Sequence, residues 1–343
     1  MIPAIQTNFG LWGDVIKVKD LLSWRDQLFP VCVKLIICAF LLVVKAAYSS
    51  SPWFTGPLFA LPGQTVPKGH INVEPYFFYI DNFARFNQSR KSRDISDIHV
   101  ASIVPFFSYG LTDFMDIQAL FFYSNASRFN TKSISISDTN IQLGFRTLKQ
   151  KGMSPVDLRV TVAHIFPTGK YKNLRYDRFG TDAMGLGSHQ TVLGLNFQRL
   201  DYITPEHALR SRLNIIGQFA RKVQVEGLNS YGGGIGTKGM VKPGSLFQAD
   251  LAFEYQLTQN WVPVFEILYT TRQQSTFIGN PGRTPFGDVT RVGRGESDVL
   301  SLAPAIEYNF NANIGIISGV WFPINGRNSN NFLSGIIAVN FFY

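Results

Sequence analysis

From Ile71 to the last residue, apolar and polar positions alternate in short segments that recur every 15 to 30 residues or so. LFQADLAFEYQL, Leu246 to Leu257, is one of the clearest: Phe247, Ala249, Leu251, Phe253 and Tyr255 share one face, and Gln248, Asp250, Ala252, Glu254 and Gln256 the other. In ALRSRLNIIGQFA, Leu209, Leu213, Ile215 and Phe219 oppose Arg210, Arg212, Asn214 and Gln218. A period of two is the period of a strand and is not produced by a helix. Twelve such segments are expected: 71–80, 99–109, 114–123, 139–148, 157–165, 191–200, 208–220, 246–257, 261–271, 299–308, 313–322 and the terminal FLSGIIAVNFFY.

The connections follow a parity. Short turns (GLTD, KQKGMSP, DYITPE, LTQN, NFNAN) follow every second segment. Long polar loops lie between them: 81–97, 124–133, 167–188, 226–244 and 273–296. Alternation of short and long connections between strands of about ten residues marks a membrane-spanning antiparallel β-barrel. A soluble sandwich has no reason to keep it. The expected fold is therefore all-β, a twelve-stranded barrel over 69–343, set in the outer membrane of a Gram-negative bacterium.

The end of the chain fits that frame. Leu333, Gly335, Ile337, Val339, Phe341 and Tyr343 fall on one face of the last strand. Ile337, Val339, Phe341 and Tyr343 resemble the C-terminal signal read by the barrel-assembly machinery, and Phe341 and Tyr343 suit an interfacial aromatic girdle.

Composition narrows the class further. The 343 residues are 45% hydrophobic and only 16% charged, against about a quarter charged in ordinary soluble domains. LIICAFLLVV, 35–44, is too short to span a bilayer and matches the apolar core of a secretory signal peptide. The expected organisation is a leader over 1–47, a periplasmic segment over 48–68, then the barrel. The 33 residues ahead of the apolar run are long for such a leader, so translation is expected to start near residue 31, at Val31 or Val33. Both cysteines, Cys32 and Cys38, lie in the leader, which suits an oxidising periplasm.

GLTDFMDIQ, TNIQLGF and PTGKY…GTDAMGLGSHQTVLGLNF, within Gly110–Phe197, resemble the outer-membrane transporter family named after the MetA phenol-degradation pathway. The resemblance covers most of the chain beyond the leader. It implies passage of small solutes, hydrophobic or aromatic ones among them, with no catalytic residue and no cofactor.

Placing polar faces inward nominates pore-lining residues: Arg146, Arg159, Arg210 and Arg212, with Asp116, Asp250, Glu254, Glu266 and Glu307. Basic and acidic walls facing each other would set a transverse field across the lumen. The alternative is that these groups pair and plug the barrel. The 167–188 and 226–244 loops, long and glycine-bearing, are expected to fold inward as constrictions.

The net charge of +9 invites a nucleic-acid reading. Many of the basic residues sit in the long loops (Arg85, Arg90, Lys91, Arg93, Lys170, Lys172, Arg175, Arg178), where outer-membrane lipid and lipopolysaccharide are the simpler partners. YGGGIG and GLG return to strands, so they are not phosphate loops. Five histidines and no cysteine beyond the leader give no metal-ligand cluster. Ser188-His189 and His164 are the candidates for a barrel phospholipase, without a group to orient the base. A channel for small solutes is the expected function, with a non-conducting structural or adhesive barrel as the alternative.

Overall fold

A computed structural model describes residues 51–151 and 155–343. The leader and its apolar run lie outside the described residues. Seventeen strands follow in order: β1 (Ile71–Phe86), β2 (Ser92–Gly110), β3 (Met115–Leu120), β4 (Tyr123–Arg128), β5 (Thr131–Ile136) and β6 (Thr139–Leu148). Next come β7 (Asp157–Phe166), β8 (Gln190–Tyr202), β9 (Ala208–Ala220), β10 (Val223–Glu226), β11 (Lys238–Lys242) and β12 (Leu246–Tyr255). The last five are β13 (Trp261–Arg272), β14 (Thr276–Asn280), β15 (Ser297–Asn309), β16 (Ile314–Arg327) and β17 (Asn330–Phe342).

Antiparallel neighbours run β1-β17-β16-β15-β13-β12-β9-β8-β7-β6-β3-β2, and β2 returns to β1, so the sheet closes. β3 and β4 both pair with β2 and form one stave broken at Phe121 and Phe122; β5 and β6 form another, broken at Ser137 and Asp138. Twelve staves result. The final residue seals the seam: the amides of Ile71 and Tyr343 each donate to the other's carbonyl, at 2.8 and 2.9 Å.

Four of the short turns share one device, a small polar side chain that accepts from the returning backbone. Thr112 takes the Phe114 amide (3.3 Å), Thr204 that of His207 (3.1 Å), Thr258 that of Trp261 (3.0 Å) and Asn311 that of Ile314 (2.9 Å). Threonine and asparagine stabilise tight turns in this way.

The outer face is apolar. Phe77, Ile103, Leu143, Val162, Leu195, Leu213, Phe265, Leu333 and Ile337 are all exposed on it. Aromatic residues mark both rims, with Phe166, Phe219, Phe247 and Tyr269 at the loop end and Tyr109, Phe114, Trp261 and Tyr343 at the turn end. Strands with an apolar outer belt between aromatic rims are stable only with lipid around them, because closure leaves no unpaired backbone in the hydrocarbon. The bacterial outer membrane is that setting.

At the loop end, the staves continue beyond the expected segments. β1 runs to Phe86 and β2 starts at Ser92, inside the connection expected over 81–97. β4 and β5 replace the loop expected over 124–133, and β10, β11 and β14 form a separate three-stranded sheet from two of the other loops. These extensions are short, four to six residues for β4, β5, β10, β11 and β14, so what alternation they carry (VQVE, SISI) is too brief to mark a strand.

The barrel interior is two-sided. One half is apolar: Tyr76, Phe78, Ile80, Val100, Val104, Phe106, Leu120 and Phe122 continue into Val262, Val264, Leu268, Ala303, Ile317, Ile336 and Ala338. The other half, from β3 through β12, presents Asp116, Gln118, Gln142, Arg159, Gln190, Asn196, Gln198, Arg212, Asn214, Asp250 and Glu254, all buried. The inner face is therefore mostly polar on one wall, which also carries the apolar cluster Ala163, Ile165, Val192 and Ile216, and mostly apolar on the other, which also carries Glu266 and Glu307. On β17, Ile336 and Ala338 line the interior as tightly as Ile337 meets the outside.

Candidate functional site: the barrel lumen

A strap of chain crosses this lumen. Of the segment assigned to 48–68, residues 55–66 run along the inner wall, and their backbone is held by inward side chains. The Thr55 amide donates to Glu307 (2.7 Å) and the Gly56 amide to the same carboxylate (3.2 Å). Leu58, Phe59 and Ala60 donate three successive amides to Glu266, the last two at 3.1 and 2.9 Å. Asn214 clasps Leu61 from both sides, accepting its amide and donating to its carbonyl. Gln64 then reaches Asp157 (2.8 Å) and the Val66 amide reaches Asp116 (3.0 Å). An irregular segment has no sheet partner for its amides, so carboxylates and amides on β3, β7, β9, β13 and β15 fill that role.

The strap is amphipathic in the same sense as the lumen. Leu58 and Leu61 are buried in the apolar half, and Phe59 packs against Trp321 and Phe78, with ring centroids 4.9 and 6.5 Å apart. Glycines admit it. A side chain at Gly110 would sit 1.9 Å from the Pro67 carbonyl oxygen, and one at Gly319 would touch Leu58.

The nominated charges fall into three groups. Arg159 and Asp116 form a fully buried pair at 2.6 Å. Arg210 binds Glu254 through two nitrogens and lies over the Phe54 ring, and Arg212 meets Glu254 at 3.3 Å while donating to the Ala60 carbonyl (2.7 Å). Glu266 and Glu307 are occupied by the strap. Arg146 stands apart at the turn-end rim, donating to the Asp113 carbonyl (2.9 Å). Asp250 is buried on β12, and neither of its carboxylate oxygens has a hydrogen-bond partner among the described residues.

The register makes Arg210 and Glu254 direct neighbours across β9 and β12, as Arg212 and Ala252 are, so this part of the expected basic and acidic walls stands side by side.

The loop end is closed over by packed loops. Asp138, at the break between β5 and β6, accepts the amides of Gly169 (3.0 Å) and Leu186 (2.8 Å), and Met184 between them reaches the apolar lumen cluster. The 167–188 loop thus folds inward at Met184. The 226–244 loop packs on it: Tyr231 donates to the Leu186 carbonyl (2.8 Å) and Ser230 to that of Gly185 (2.7 Å). Burial pushes the Tyr231 phenol up to about 12.

Sequence reasoning missed the strap, because residues 51–69 carry no period. Its signal was an apolar, proline-bearing run, WFTGPLFALPGQTVP, ahead of the first strand. It also missed an outward cluster: pairing of β1 with β2 sets His99 Nδ1 3.2 Å from Asp81, with Asp97 close enough that the three potential ligand atoms lie within 4.8 Å. Of the phospholipase candidates, Ser188 donates to backbone carbonyls of His189 and Arg221, and His164 pairs with His189 at 3.0 Å, both rings outside the lumen.

No family model and no curated protein matches this chain in sequence. Its fold is similar to that of the COG4313 outer membrane channel from Pseudomonas putida F1, with a TM-score of 0.61 at 12% identity, covering 82% of this chain and 97% of that one. The NanC porin aligns at a TM-score of 0.42 and 9% identity over 78% of this chain and 98% of that one. The β domain of the Bordetella autotransporter BrkA gives 0.43 and 10% over 80% and 100%. The first of these likenesses, together with the closed sheet, gives the chain the fold of a closed outer-membrane barrel.

Proposed function

We propose that the protein is an outer-membrane channel for small solutes that have an apolar body and a polar or charged group, and that it is not an enzyme. The observation that carries this reading is the two-sided lumen: aromatic and branched side chains on one half face amides, arginines and carboxylates on the other. A barrel that only needed filling would satisfy its interior with apolar side chains, since each buried polar group costs free energy unless it is paired. Arg146, Arg159, Arg210, Arg212, Asp116, Asp250, Glu254, Glu266 and Glu307 line the path in this reading. Hydrophobic and aromatic solutes, as the sequence resemblance implies, suit the apolar half. The fold of the solved Pseudomonas channel supports the same class.

Ile337, Val339, Phe341 and Tyr343 serve as the assembly signal in this reading. They end the strand that closes the seam, Ile337 and Tyr343 exposed and Val339 and Phe341 half-buried.

The test is single-channel recording of the purified protein in a planar bilayer, after heat-modifiable gel mobility has verified folding. Discrete openings, with current reduced by added aromatic solutes, are the expected result. One observation favours a second reading, a non-conducting barrel: the strap lies inside the lumen with its amides bound to Glu266 and Glu307. A folded but silent barrel would establish that reading instead.

A further inference from the structure

Inward arginines in this barrel come in two kinds. Arg159, Arg210, Arg212 and Arg327 each reach a carboxylate. Arg85, Arg272 and Arg294, at the loop end of the lumen, reach none among the described residues. Arg85 donates to the Asn328 carbonyl (3.3 Å) and Arg294 to that of Ser230 (2.7 Å). Arg272 is 9% exposed, has only a 3.5 Å approach to the Gly244 carbonyl, and its Nε has no partner.

Backbone contacts bring their segments together: the Arg294 carbonyl accepts the Ser275 amide (2.9 Å), three residues past Arg272, and Asn328, whose carbonyl Arg85 reaches, donates its side chain to the Glu296 carbonyl (2.8 Å), two residues past Arg294. The carboxylates nearest in sequence to Arg294 are already taken: Glu296 by Arg327, and Asp298 by Arg90 and Arg327. Tyr231 lies under Arg294, its ring centroid 5.4 Å from the guanidinium carbon, and its hydroxyl is turned away to Leu186.

Like charges gathered without counter-charge, Arg272 buried and Arg85 and Arg294 half-buried, are costly, and a guanidinium cannot shed its proton to escape the cost. Such a cluster is stable when an anion joins it. We infer that Arg85, Arg272 and Arg294 form an anion site at the loop end of the lumen that takes the carboxylate of a small organic acid. A planar carboxylate matches the guanidinium fork with two parallel hydrogen bonds. Leu246, the cross-strand neighbour of Arg272, supplies apolar contact for the body of the acid, with Leu268 two pleat repeats further along the same inward face. This inference names the charged group of the solute in the channel reading above, and it rests on that reading only for the solute's destination.

The test is equilibrium binding by titration calorimetry of the folded protein in neutral detergent, which needs no conduction. Benzoate is the probe, with benzyl alcohol as its uncharged counterpart and inorganic phosphate as a non-carboxylate anion. Benzoate is expected to bind, benzyl alcohol to bind far more weakly, and Arg272→Gln to weaken benzoate about tenfold, the scale of one lost charge-assisted hydrogen bond. Arg85→Gln, on a different strand, is expected to do the same and stands in if Arg272→Gln fails to fold. Benzoate binding no tighter than benzyl alcohol, or unchanged in both variants, overturns the site. Phosphate binding with no benzoate binding overturns the carboxylate assignment. A conducting protein that ignores benzoate sinks this inference alone, and a silent one that binds benzoate sinks the channel alone.

Discussion

Arg159 reaches Asp116 across an intervening strand because residue 144, between them, has no side chain. Gly144 is the cross-strand neighbour of Asp116, and a Cβ there would lie 2.2 Å from two nitrogens of the Arg159 guanidinium. The pair is sealed from solvent on both sides. Removing one partner of a buried pair, or forcing them apart, leaves a bare charge in a low-dielectric interior, which costs several kcal/mol. Gly144→Ala is therefore expected to destabilise the barrel by about 3 kcal/mol, and Arg159→Met by at least as much. The double replacement Arg159→Met with Asp116→Leu should return to within about 1 kcal/mol of the parent, since no charge is then left unpaired. Urea titration followed by heat-modifiable mobility would read all three.

The strap depends on Glu266 more than on any apolar contact. Three successive amides share that carboxylate, and hydrogen bonds to a charged acceptor contribute about 1.5–3 kcal/mol each. Glu266→Ala should release the middle of the strap, expose Phe59 to chymotrypsin in the folded barrel, and raise single-channel conductance. Conductance equal to that of the parent, with Phe59 still protected, would mean the strap is held by its leucines instead.

Arg212 touches both the strap and Glu254, and Glu254, Glu266 and Glu307 surround it electrostatically. Arg212→Glu reverses the sign at one of the two arginines, with Arg210, that offset that group of acids. Reversal potentials across a salt gradient should move toward cation preference, and the shift should shrink at high salt as screening shortens.

Asp138 pins the 167–188 loop through two amides. Asp138→Ala leaves those donors unpaired, so the loop should open locally without unfolding the staves. Trypsin cleavage between Lys170 and Arg178, with the barrel still heat-modifiable, is the expected result. Resistance equal to the parent would assign the anchoring to the Tyr231 and Ser230 contacts.

On the outside, Ile337→Arg places a charge in the lipid-facing belt of β17. A cost of about 2–4 kcal/mol is expected at mid-membrane depth, falling toward zero if the position lies near an interface. Comparing refolding of Ile337→Arg with Leu333→Arg would measure how deep each residue sits.

Much of the barrel could be read from alternation alone. The expected 139–148 and 208–220 segments are the observed β6 and β9, because both faces are under opposite demands there, lipid outside and a polar wall inside. Where those demands relax, the pattern fades. β4 and β5 are six residues each and carry Ser124, Asn125, Ser127, Ser133 and Ser135, so they read as a polar loop. The apolar inner wall was hidden for the opposite reason: with Phe77 and Phe78 adjacent, or Ile336 and Ile337, both faces are apolar and neither side is marked as lumen.

What the sequence determined by itself is the period and parity: twelve amphipathic strands, short turns against long loops, an aromatic closing strand and a shortage of charge. Those follow from each residue's immediate solvent, and each segment carries that record independently. The tertiary structure decided which charges meet. Arg210 finds Glu254 through the register of β9 on β12, Glu266 finds the strap, and Arg159 finds Asp116 across β6, all through pairings between residues tens to hundreds of positions apart. Electrostatic partnership depends on distance in space, and linear spacing does not encode distance between strands until the barrel has closed.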